Sequence, residues 1–214
     1  MKNDFPDYIV IEGPIGVGKT SLAKRLADTF NTELMLESPA DNPFLPGFYE
    51  DPQAAALQTQ LFFLFQRAKK IAMLRQTDMF KPAQVADFFI EKDRLFAGVT
   101  LNNAEFELYQ QVYDRITLEA PIPDLVIYLQ APTDVLLKRI LGRGIDYEKY
   151  IDEKYLQRIT NAYIDFFYHY NSAPLLIVNT ADFDLVNGSR NYNLLLEYIK
   201  KLPPGRNYFN PKEL

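Results

Sequence analysis

The run Gly13-Pro14-Ile15-Gly16-Val17-Gly18-Lys19-Thr20 has the spacing Gly, four residues, Gly, Lys, Ser/Thr. In such a loop the main-chain N–H groups turn inward on a triphosphate, and the helix that follows adds the partial positive charge of its N-terminus. Lys19 neutralises the β and γ oxygens and Thr20 reaches a magnesium ion. Side chains at Gly13, Gly16 or Gly18 are expected to intrude on the phosphates. Glu37 closes a short apolar run and is a candidate to take the proton of a hydroxyl attacking the γ-phosphate. A solvated strand-end glutamate is the plainer alternative. Gln60 and Arg67 stand seven positions apart in an apolar stretch, almost two helical turns and therefore one face. Either they bond the edge of a flat heterocycle with Phe63 as a wall, or they pair with protein groups or share a solvent stripe with Gln53 and Gln66. The charged run Glu91-Lys92-Asp93-Arg94 is a candidate phosphate and metal station, with an ordinary helix start as the competing view. Arg139 and Arg143, four apart beside Gly142 and Gly144, suit a mobile lid with two forks, or equally a helix C-terminus that favours basic residues.

Such residues need elements to hold them. Five apolar runs read as buried parallel strands: Tyr8–Glu12, Leu34–Leu36, Val85–Ile90, Leu125–Leu129 and Leu175–Val178. Helical patterns lie between them, at about 19–30, 52–75, 105–118, 134–141, 155–170 and 192–202. Asp51-Pro52 opens the longest as cap and first-turn proline. That helix is apolar nearly all round and is expected to be buried on more than one side. Alternation of strand and helix predicts a single doubly wound α/β domain over 1–214, with five parallel strands flanked by helices and 203–214 an irregular tail.

Composition narrows the partners. The 214 residues are 48% hydrophobic with a net charge of −5, enough for one core and unsuited to nucleic acid as the main partner. The absence of cysteine removes disulfide and thiolate chemistry. No stretch approaches the roughly 18 apolar residues of a spanning helix, and Met1-Lys2-Asn3-Asp4 is too polar to open a secretory signal. A soluble cytoplasmic protein without membrane contact is expected. The phosphate loop supports a nucleoside triphosphate-using kinase or a nucleotide switch. Neither the Asp-x-x-Gly nor the Asn-Lys-x-Asp-like guanine reader of a switch is found.

Together these residues resemble the deoxynucleoside kinase family, most closely its bacterial deoxyadenosine and deoxyguanosine kinase branch, from Tyr8 to about Val186. The resemblance implies a P-loop kinase fold with an arginine-bearing lid, ATP and Mg2+ as cofactors, a homodimer, and transfer of the γ-phosphate to a deoxynucleoside 5′-hydroxyl in nucleotide salvage. It places Glu37 on the family's general base and Tyr49, from Tyr49-Glu50-Asp51-Pro52, on the tyrosine that holds the sugar 3′-hydroxyl with Glu148. Crowding by that pair favours a 2′-deoxy sugar. Gln60 and Arg67 match the base-reading pair. Glu91 matches the magnesium-side carboxylate, and Arg139 and Arg143 match lid arginines. Lys92 stands where arginine is more usual, keeping the charge and losing the bidentate fork. Ile145 replaces a third lid arginine. Ala97 replaces an aspartate that partners the reading arginine in several purine-accepting relatives, leaving Arg67 to another pose or to Asp93. A purine acceptor follows from overall resemblance. Asp93-Arg94 also admits a thymidylate-kinase-like reading, with a monophosphate acceptor and no base at Glu37, and a non-catalytic nucleotide-binding module is the alternative outside enzymes.

Overall fold

The computed structural model describes residues 6–75, 83–117, 120–182 and 189–210. Six parallel strands form one sheet in the order β2-β3-β1-β4-β5-β6: β1 Tyr8–Glu12, β2 Glu33–Met35, β3 Gln84–Ala86, β4 Leu125–Gln130, β5 Leu175–Asn179 and β6 Arg206–Phe209. Between them run α1 Lys19–Phe30, α2 Leu45–Glu50, α3 Pro52–Arg75, α4 Glu91–Thr100, α5 Asn103–Ile116, α6 Thr133–Gly142, α7 Glu153–His169 and α8 Ser189–Lys200, with 3₁₀ turns at Pro39–Asp41 and Asp146–Tyr150.

Unbroken apolar runs make the central strands, because helices cover both sheet faces. Ile9 and Ile11 pack with Leu22 and Leu26 of α1, Leu136 and Ile140 of α6, and Leu195 of α8. Val10 points the other way, into Leu64 of α3, Tyr109 of α5 and Tyr163 and Phe167 of α7. Side-chain caps fix several helix starts. Asn102 and Glu105 make a capping box at α5, Asp152 bonds the Tyr155 N–H at α7, and Asp51 bonds the Gln53 N–H at α3.

After β1 the chain goes out to β2 and β3 on one side, then crosses to β4 on the other. The ends of β1 and β3 therefore border a crevice at the switch point, where open α/β sheets take their ligands. The phosphate loop, the loop after β2 and the start of α4 converge there.

Two sequence expectations change. The third strand stops at Ala86 rather than Ile90, because Asp87 leaves the sheet to bond Thr20 and the Glu37 N–H. The tail carries a sixth strand: Gly205, at φ 89°, turns the chain after the two prolines, and Arg206–Phe209 pair with β5. Residues 211–214 of that tail, and the expected helix end at Leu118, lie outside the described residues. The long α3 buries Leu64 and Ile71 against the sheet and Phe63 against α2, yet leaves Phe65 and Met73 more than half exposed.

Candidate active site

The phosphate loop occupies the bend from β1 into α1, with Gly18 as the helix N-cap. Contacts within the protein require two of its glycines. A Cβ on Gly13 would strike the Leu129 carbonyl, and on Gly16 it would lie 2.8 Å from the Leu136 carbonyl and 2.9 Å from Ile140 Cγ1. Both residues also have positive φ, 148° and 85°. The loop is thus pressed against β4 and α6, and these protein atoms already exclude side chains at the two positions. Lys19 folds back onto the loop, donating to the carbonyls of Gly13 at 2.7 Å and Pro14 at 3.3 Å. Burial, with Lys92 nearby, lowers its ammonium from 10.5 to about 8.

Glu37 lies just past β2, facing this loop. Its main chain is pinned by Asp87 Oδ1, which accepts from the Glu37 N–H at 2.6 Å while Oδ2 accepts from the Thr20 hydroxyl at 2.5 Å. Lys70 and Gln66 of α3 donate to the Leu36 and Ser38 carbonyls and hold the same loop from the other side. The Glu37 carboxylate accepts from Arg67 Nε at 2.7 Å, is also bonded by the Arg67 terminal nitrogen, and accepts from Lys92 Nζ at 3.1 Å. Burial pushes this carboxyl up, but Arg67, Lys92 and Lys19 outweigh it and hold it well below the usual carboxylate range.

Gln60 and Arg67 are both 3% exposed and line the same cleft, so the solvent-stripe alternative is excluded for them. Arg67 packs its guanidinium over the Phe63 ring at 4.9 Å and forks between Glu37 and the fully buried Asp93. Asp93 is therefore the carboxylate partner whose usual position Ala97 cannot supply. At the opposite wall Tyr49 stacks on Tyr147, ring centroids 6.1 Å apart, and meets Tyr155 edge-on. Burial, then Tyr155 and Glu148, raise its phenol, which stays a neutral donor at working pH. Glu148, on the 3₁₀ turn after α6, is buried in the same wall, 3.4 Å from Arg143 Nε.

Two expected site residues are placed elsewhere. Glu91 starts α4 but does not line the cleft; its charge acts on the phenols of Tyr8, Tyr113 and Tyr170, and burial pushes its carboxyl up to about 7. The carboxylate beside Thr20 is Asp87, which sequence reasoning had left inside a strand. Its signal was a lone charge within the apolar run Val85–Ile90. Arg139 does not converge with Arg143. Its guanidinium donates to the Thr180 hydroxyl at 3.2 Å and carbonyl at 2.6 Å, and approaches the Val17 carbonyl at 3.5 Å, behind the phosphate loop. Arg143 reaches the cleft from the end of α6, its side chain 43% exposed.

One cleft thus joins an anion cradle, a carboxylate among cations, a polar pair on an apolar helix and a Tyr/Glu wall, in a sheet order that puts the phosphate loop at its centre. This is the layout of a phosphoryl transferase with a small acceptor. The sequence profile of the deoxynucleoside kinase family matches residues 9–203, and the chain belongs to that family. It is similar to the deoxyguanosine kinase of Bacillus subtilis, 34% identical over 200 residues that cover 91% of this chain and 97% of that protein. The deoxyadenosine kinase of Lactobacillus acidophilus is 29% identical over 208 residues, 91% of this chain and 94% of its own. The solved deoxyadenosine kinase of M. mycoides, with products dCMP and a flexible dCDP bound, shares the fold at TM-score 0.80, 22% identity and coverage of 91% and 100%. The protein is accordingly a deoxynucleoside kinase, an ATP-dependent phosphotransferase. Among the described residues no helix is long and apolar enough to cross a membrane.

Proposed function

We propose that the enzyme phosphorylates the 5′-hydroxyl of a purine 2′-deoxynucleoside, with Glu37 as the general base. The observation that carries the proposal is the position of Glu37 between the phosphate loop and the Gln60/Arg67 face, its carboxylate 3.1 Å from Lys92 Nζ. A nucleoside seated with its base on α3 and its sugar on Tyr49 and Glu148 presents its primary alcohol between Glu37 and the cradle. Glu37 accepts the hydroxyl proton, the 5′-oxygen bonds the γ-phosphorus, and the bond to the β-bridging oxygen breaks to release ADP. Lys19, Lys92 and Arg143 stabilise the charge on the transferring group. Arg67 links the two halves of the site: when the base draws its donors away, the Glu37 carboxylate loses part of its clamp and gains proton affinity.

A purine is favoured because both readers complement its N7 edge. An amide bonds N6 and N7 of adenine in two-point fashion, and a guanidinium does the same to O6 and N7 of guanine. Relatives named for deoxyguanosine and deoxyadenosine agree with this, while one named deoxyadenosine/deoxycytidine kinase shows that this branch also contains a pyrimidine acceptor. Thr20 and Asp87 offer the hard oxygen donors that Mg2+ prefers, next to the phosphate loop. Held there, the ion would supply positive charge against the triphosphate. Exposed Phe65 and Met73 on α3 and Leu108 on α5 support a homodimer. Initial rates with labelled ATP and all four deoxynucleosides test the acceptor: deoxyguanosine or deoxyadenosine should exceed both pyrimidines by about tenfold or more in kcat/KM. A pyrimidine leading that series overturns the purine assignment.

A further inference from the structure

We infer that Glu12 is a positioning residue for Lys92, holding its ammonium at the transferring group while Glu37 loses its charge. The inference rests on the reading above in which Lys92 acts on that group. Glu12 ends β1 on the sheet face that Val10 shares with α4 and α7, and it is 1% exposed. Burying a carboxylate in such a place is unfavourable unless it is compensated, so what a charge gains there must come from its neighbours.

Its hydrogen bonds do not provide one. Oε1 accepts from the Gly13 N–H at 2.8 Å and from the Tyr163 hydroxyl at 2.8 Å, both neutral donors that a glutamine carbonyl would satisfy equally. Oε2 is buried with no hydrogen-bond partner. What a charge alone supplies is attraction for Lys92, whose Nζ lies 3.9 Å from Glu12 Oε1 and 3.1 Å from Glu37 Oε2. Lys92 is thus shared by two carboxylates in the resting site. Proton transfer turns Glu37 into a neutral acid and removes the nearer one. The other charges around this point are Arg67 from α3 and Lys19 from α1, both of which repel Lys92, and three carboxylates that make no ion pair with it: Asp87, which holds Thr20 and the Glu37 N–H, Asp93, which pairs with Arg67, and Glu91 at the start of α4. Among the described residues, Glu12 is then the carboxylate left within ion-pair distance. It fixes Lys92 when the phosphoryl group most needs a cation and keeps the ammonium from following the departing charge.

A double-mutant cycle tests this, with single-turnover rate, nucleoside KM and melting temperature measured for Glu12→Gln, Lys92→Met and the pair. Glu12→Gln keeps both acceptor bonds and should lower the rate about tenfold with KM and melting temperature nearly unchanged. In the Lys92→Met background the same change should cost less than about twofold, since the group it acts through is gone. Tyr163→Phe, which removes a donor and leaves the charge, should not reproduce the loss. Full multiplication of the two single losses, an unaltered Glu12→Gln rate, or a Tyr163→Phe rate that matches Glu12→Gln overturns the inference and leaves the function of Lys92 standing. An unaltered Lys92→Met rate refutes the reading of Lys92 itself and takes the inference with it. If Glu12→Gln does not fold, Glu12→Asp replaces it: the charge stays but withdraws by about one C–C bond, ~1.5 Å, and the smaller loss must again vanish with Lys92→Met.

Discussion

Glu37 is a partly buried anion set among three cations. Arg67 from α3, Lys92 from α4 and Lys19 beside the phosphate loop all lower its proton affinity against the effect of burial. On the reading proposed above Arg67 also meets the base, and Arg67→Ala is expected to change the ranking of the four deoxynucleosides, measured as kcat/KM. An unchanged ranking would take Arg67 out of base reading. Much of this was legible in the sequence. The spacing of Gln60 and Arg67 predicts a shared face, and the structure buries both on it. The pairing of Arg67 with Asp93 was only an alternative, because it depends on how α4 is rotated against α3, which no local pattern records. Asp87 was obscured for a related reason: an apolar run continuing past it imitates a longer strand, and only the tertiary bonds to Thr20 and Glu37 end that strand at Ala86.

At the scale of elements, the phosphate loop is packed closely against β4 and α6, and its lysine is partly buried. Burial, with Lys92 nearby, brings Lys19 down from 10.5 to about 8. Triphosphate oxygens restore its preference for the charged form, so the complex holds more protons than the free enzyme near pH 8 and above. ATP affinity should accordingly fall as pH rises through about 8, with proton uptake on binding, seen by calorimetry in buffers of different ionisation enthalpy. Constant affinity between pH 7 and 9.5, or proton release, would contradict a depressed Lys19. The lid was the element least accurately read. Two arginines four apart on α6 suggest a common target, yet Arg139 is tied to Thr180 and Val17, and only Arg143, past the last turn, reaches the cleft. Helical spacing sets direction at the Cα; long side chains then follow the nearest carbonyls.

For the molecule as a whole, strand order does the assembling: the chain's reversal about β1 brings residues from β1, the β2 loop, α3 and α4 to one crevice. Five strands and their parallel packing were readable from apolar runs, whereas β6, Arg206-Asn207-Tyr208-Phe209, carries no apolar run and follows directly on the Pro203-Pro204-Gly205 turn. The same assembly leaves Glu91 outside the cleft with a carboxyl that burial raises from 4.5 to about 7. A raised folded-state value gives stability that is present below about 4.5 and lost as pH rises through about 7. Glu91→Gln, which resembles the protonated acid, should melt above the parent protein at pH 8, match it near pH 4.5 and keep its activity. A lower melting temperature at pH 8, or a large loss of kcat, would return Glu91 to the site. In the proposed reaction binding and chemistry meet at Glu37, and one comparison separates them. In Glu37→Gln, nucleoside affinity measured by calorimetry should stay within about threefold of the parent, while single-turnover transfer from ATP slows by about 10²–10⁴. A transfer rate within a factor of about two of the parent would mean that the 5′-hydroxyl gives up its proton without this carboxylate.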